Sequence, residues 1–125
     1  MSTLAPSRTA VVTFAVDAVC VLVFAAAGRQ SHEPGSAVAT VLVIAWPFLL
    51  AALLAHGALV LRGRTATSLG SGAAVLATTY VVGMALRGLS GRGLAPAFLV
   101  VAAISLTVLL LGWRAAYAVW SRRRA

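Results

Sequence analysis

The sequence predicts an all-α integral membrane protein, a four-helix bundle whose sequential helices run antiparallel. Three observations predict it. Four mostly apolar segments follow one another, each near the ~20 residues a helix needs to cross a bilayer. The 125-residue chain is 62% hydrophobic and only 10% charged, whereas soluble domains carry about 25% charged residues. All ten basic residues are Arg, and they stand at the ends of the apolar segments rather than along a polar face.

The first segment, about 10–28, contains the carboxylate Asp17 inside "TFAVDAVCVLVFAAAG". Arg8 before the run and "AAA" at 25–27 have the look of a signal peptide, but the run is long and Asp17 interrupts it, so a retained helix is expected. The second segment, about 38–61, carries Trp46 and Pro47. Proline gives no N–H and crowds the carbonyl of Val43, which predicts a kink with Trp46 closing any cavity beside it. The third and fourth spans are expected at about 69–87 and 95–113. Between the spans lie "RQSHEPGS", "RGRTATS" and "GLSGRGLA", rich in turn residues and short enough for antiparallel neighbours. Residues 1–125 are thus read as one transmembrane domain.

The tail 113–125 places Trp113, Tyr117 and Trp120 at helical spacing ahead of Arg122, Arg123 and Arg124. Together with Arg114 it reads as an amphipathic interfacial anchor, with anionic lipid headgroups as partner. Seven Arg fall on the side of the termini and the second loop and three on the other, which predicts a multi-pass plasma (inner) membrane protein with both termini cytoplasmic.

Several functions are excluded by composition. With no Lys there is no P-loop or Schiff-base lysine, and with no Asn no glycosylation acceptor. The charge of +8 lacks the soluble basic stripe of a nucleic-acid binder. Cys20 is single and reads as a small buried hydrophobe. Neither His32 nor His56 has metal-ligand spacing to a second ligand, and no metal or cofactor is assigned.

Asp17 is the residue that needs explaining. Counted inward from Arg29 at ~1.5 Å per residue, it lies roughly 18 Å deep, near the bilayer middle. The same count on the other helices brings Thr78, Thr79, Tyr80, Ser105 and Thr107 to its level, so these are its expected partners in a mid-membrane polar cluster. The cluster is structural, with a neutral acid donating to a hydroxyl, or a proton or cation site, or a contact to another subunit. Outside the bundle, Arg29, Ser31, His32, Glu33 and Arg87 are expected to form a rim able to meet an anion or simply to be solvated. Ala51 with Ala55, Ala74 with Thr78, and Thr79 with Gly83 are small pairs that favour close helix packing.

Asp17, Phe24, "GRQSH" (Gly28–His32), "AWPF" (Ala45–Phe48), "GMALR" (Gly83–Arg87) and "LLLGWRA" (Leu109–Ala115), in this order and spacing, resemble a family of small actinobacterial membrane proteins known by a domain-of-unknown-function label. The resemblance runs over about residues 10–117. It implies a four-helix integral membrane protein and transfers no activity.

The functional expectation is a non-enzymatic membrane protein: a transporter-like or channel-like unit that would form a homo-oligomer, or an accessory subunit of a larger membrane complex. The competing class is an intramembrane enzyme or binder of a lipid or isoprenoid. No catalytic residue is assigned, because no acid and base lie within reach of one another in this reading.

Overall fold

The computed structural model describes residues 7–28 and 37–124. They form α1 (Arg8–Gly28), α2 (Ala37–Leu61), α3 (Leu69–Leu89) and α4 (Pro96–Arg124). All four helices are long and apolar enough to cross a membrane.

Local chemistry sets the helix ends. Ser7 Oγ accepts the Ala10 N–H at the start of α1, and Ser68 caps α3 by accepting from Ser71 N–H. Pro96 opens α4, a position where its missing N–H costs nothing. The ends of α2 and α3 use one device. Gly63 and Gly91 adopt left-handed φ of 65° and 86°, and the N–H groups of Arg64 and Arg92 reach back to the carbonyls of Leu59 and Arg87. This is a Schellman cap, and it needs glycine.

Each helix packs against two others in the ring order α1, α2, α3, α4 and back to α1; among the described residues the diagonal pairs make no backbone contact. The outward faces carry Val19, Leu42, Leu53, Val81, Ile104 and Val108, all exposed. Helices apolar both toward the bundle and away from it suit lipid as the outer solvent.

The interior has two unlike ends joined by an aliphatic middle that includes Val21, Ala52, Val75, Leu106 and Leu110. At the end nearest the α3–α4 turn, Phe24, Phe48 and Phe98 meet with ring centroids 5.3, 5.8 and 6.2 Å apart. Phe48 fits because Gly83 faces it; a Cβ there would collide with the ring. The opposite end, beneath the α2–α3 loop, is polar and holds Asp17.

One feature extends the sequence reading and one differs from it. The fourth span and the tail read as helical after it form one unbroken helix to Arg124. "RAAYAVWSRRR" contains no Gly or Pro to stop it, so the amphipathic tail is the last part of α4 itself. At ~1.5 Å per residue its 29 residues span about 43 Å, longer than the ~30 Å hydrocarbon core. Trp46 is 42% exposed and faces outward, so it closes no interior cavity; Pro47 is the buried member of that pair and lies inside α2.

Candidate functional site

Asp17 is wholly buried and every acceptor position of its carboxylate is filled. Arg114 approaches in a two-pronged fork, Nη1 to Oδ1 at 3.0 Å and Nη2 to Oδ2 at 2.8 Å. Trp113 Nε1 donates to Oδ1 at 2.8 Å. His56 Nε2 meets Oδ2 at 2.7 Å. A carboxylate has about four lone-pair sites, and here four donors occupy them.

Arg114, also 0% exposed, is nearly as fully bonded. Its Nε donates to the Ala66 carbonyl at 3.0 Å and Nη1 to the Leu110 carbonyl at 3.0 Å. The first bond ties the α2–α3 loop to α4. Its guanidinium also lies 4.6 Å from the Trp113 ring centroid. Gly72 on α3 provides the seat, since a Cβ there would stand 2.5 Å from Arg114 Cδ. An isolated charge would be costly at such a place, but a bidentate pair carries no net charge, and four of the five guanidinium N–H donors are bonded.

The partners expected for Asp17 are not the ones it has. Tyr80 Oη donates to the Leu99 carbonyl at 2.9 Å. Thr107 is exposed and bonds the Ala103 carbonyl of its own helix. Thr79 is buried with its hydroxyl unpartnered, Thr78 lines a groove between α2 and α3, and Ser105 is half-buried on α4. Arg114 is not at the interface as an anchor residue would be, and Trp113 turns its N–H inward; only Tyr117, Trp120 and Arg122, Arg123 and Arg124 are exposed. Among these, Trp120 is covered by Arg124 at 4.7 Å.

The physical reason lies in side-chain direction. Helical side chains lean toward the N-terminus of their own helix. The N-terminus of α1 is at the end where α2 and α4 finish, so Asp17 leans toward that end while His56 and Arg114 lean away from it. They meet between their backbones' levels. A count of Cα depth from the opposite end misses this.

Of the expected rim, Arg29, Ser31, His32 and Glu33 lie outside the described residues. Arg87 donates from Nε to the Gly93 carbonyl at 2.8 Å and stacks 3.8 Å from the Phe98 ring centroid, which ties it to its own hairpin.

His56 stands alone in sequence, so its pairing with Asp17 is visible only in the fold. The Asp17 carboxylate accepts, so Nε2 is the nitrogen that donates to Oδ2, and a neutral His56 ring leaves Nδ1 as an acceptor. His56 rests edge-on against Phe14 at 5.4 Å. Both line a membrane-facing groove of about 400 Å³ between α1 and α2, whose other walls include Val11, Leu53, Gly57 and Leu61. Among the described residues no third His, Cys, Asp or Glu joins Asp17 and His56 to form a metal-ligand set.

No curated protein and no solved structure matches this chain. A family model does, over residues 14–117, a stretch that contains Asp17, His56, Trp113 and Arg114. The chain belongs to that family, described as "Protein of unknown function (DUF3054)".

Proposed function

We propose that this chain is a non-enzymatic, multi-pass membrane protein that binds an amphipathic, lipid-like molecule in the α1–α2 groove, with both termini on the cytoplasmic side of the plasma membrane. One observation carries the reading: His56 is clamped through Nε2 by Asp17, and the rest of its ring belongs to an otherwise apolar groove. A mostly apolar recess of ~300–1,000 Å³ with one placed polar group is the usual form of a small-molecule site. The polar group offered is an acceptor, so the fitting ligand has a hydrogen-bond-donating head, such as a hydroxyl, and an apolar tail lying along Val11, Phe14 and Leu53.

Among the described residues, the groove lining contains no Ser, Thr, Cys or carboxylate to act as nucleophile or second acid-base group, which favours binding over catalysis. A transporter-like role centred on Asp17 has less support, because the carboxylate has no open position for a proton or cation in transit. The cytoplasmic orientation is supported by the ring topology, which gathers exposed Arg8, Arg62, Arg64 and Arg122 to Arg124 at one end.

Gly57 gives a clean test. A Cβ at this position meets nothing within 4 Å, so Gly57→Leu fills the groove without touching Asp17. The protein is purified in mild detergent, and its bound small molecules are identified by mass spectrometry. A hydroxyl-bearing apolar molecule retained by the wild type, and lost in Gly57→Leu at unchanged thermal stability, is the expected result. Equal retention by both proteins, or no bound molecule in the wild type, contradicts the reading.

A further inference from the structure

On the other flank of α2 lies a second groove, and it has a different character. Its walls are the small side of two helices: Ala55 and Ala58 of α2 face Gly70 and Ala74 of α3, and the recess between them is about 350 Å³. Small residues bring the helix backbones together, and Leu54, Leu59, Ser71 and Thr78 complete the lining. Arg62 and Arg64 line the mouth of this groove.

Their placement is built into the fold. The left-handed Gly63 between them reverses the chain, and its Schellman cap fixes Arg64 N–H on the Leu59 carbonyl at 2.9 Å. The two arginines thereby stand two positions apart on a fixed backbone at the end of a membrane-crossing helix. Both are exposed, and neither has a carboxylate partner among the described residues, where the acid in the ion pairs is Asp17. Asp17 is fully engaged elsewhere.

A mostly apolar seam running into the membrane, with the hydroxyls of Ser71 and Thr78 in its lining and two unneutralised cations at its mouth, is complementary to one kind of molecule. We infer that the α2–α3 groove is a binding site for an anionic phospholipid, with an acyl chain against Ala55, Ala58 and Ala74 and the phosphate between Arg62 and Arg64. Guanidinium groups suit a phosphate because they offer paired, planar N–H donors. The site is separate from the His56 groove and does not depend on it. Occupied, it would brace the α2–α3 loop, whose Ala66 carbonyl supports Arg114.

The test uses the whole protein in detergent, titrated with phosphatidylglycerol or with phosphatidylcholine of the same acyl chains, bound lipid being counted by native mass spectrometry. The wild type should retain one phosphatidylglycerol in preference to phosphatidylcholine. Arg62→Gln with Arg64→Gln should lower the phosphatidylglycerol affinity by roughly tenfold or more, whereas neutralising Arg122, Arg123 and Arg124 should leave the preference in place. Gly70→Leu fills space that a Cβ meets nothing in and should expel lipid of either headgroup. Melting curves confirm that each variant is folded. Equal retention of the two lipids by the wild type overturns the site, as does a preference that survives in the double Gln variant or is lost only with the C-terminal arginines.

Discussion

The two ends of the bundle interior solve one packing problem in opposite chemical terms. At one end Phe24, Phe48 and Phe98 lock α1, α2 and α4 by ring contacts; at the other, Asp17, His56, Trp113 and Arg114 lock the same three helices by directed bonds. In both, α3 contributes a glycine as a seat, Gly83 under Phe48 and Gly72 under Arg114. The difference teaches what each lock tolerates. Aromatic contacts are many, weak and replaceable. The ion pair is all or nothing, because removing one member leaves the other as a buried charge with no water to accept it.

The largest effect should therefore come from breaking the polar lock on one side. Asp17→Leu leaves Arg114 unpaired and should destabilise the protein by about 3–5 kcal/mol in detergent unfolding, while Asp17→Leu combined with Arg114→Met should recover much of that loss. A small cost for the single variant would mean that Arg114 can escape to the interface, and the two ends would then be more alike than they look.

Next come the seats. Gly83→Ala and Gly72→Ala each force an overpacked contact and should cost about 1–3 kcal/mol. Gly57→Ala, with open space around it, serves as the control and should be neutral or slightly stabilising, since alanine is the better helix former. Thermal melts of the three variants separate crowding from any general effect of losing a glycine.

Phe24→Leu removes two ring contacts at ~0.5–1.5 kcal/mol each and should cost about 1–3 kcal/mol. Trp113→Phe removes a single bond to a charged acceptor and keeps the bulk. Side-chain bonds within membranes average ~0.6 kcal/mol, so its cost should be the smallest, about 0.5–2 kcal/mol. If Trp113→Phe proved worse than Phe24→Leu, the polar lock would depend on its full set of donors, with the fork from Arg114 alone insufficient.

Much of the architecture was legible before any coordinates, because crossing a bilayer imposes length and apolarity on each helix independently. Four spans and short turns needed only that constraint. The candidate site was harder. Asp17 announced itself as a carboxylate inside an apolar run, but its partners were sought by level alone, counted from Arg29. Counted instead from the other end, Asp17 is nine residues from Arg8 and His56 six residues from Arg62, and the opposed lean of side chains on antiparallel helices closes the remaining gap. Arg114 was hidden for a different reason. A Trp-Arg pair after an apolar run is the ordinary sign of a membrane interface, and nothing local distinguishes an Arg that snorkels outward from one that turns inward to meet a carboxylate. The inward turn depends on Gly72, fifty-five positions after Asp17, which is information only the tertiary fold holds.

The most direct test of the account is a double-mutant cycle on the ion pair, with Asp17→Asn, Arg114→Gln and their combination compared by reversible unfolding in one detergent. The account predicts strong coupling: each single change destabilises severely, and the second adds little to the first, giving an interaction energy of about 3 kcal/mol or more. Additive effects, with a coupling below about 0.5 kcal/mol, would mean that Asp17 and Arg114 do not hold each other in the folded protein and would contradict the polar lock.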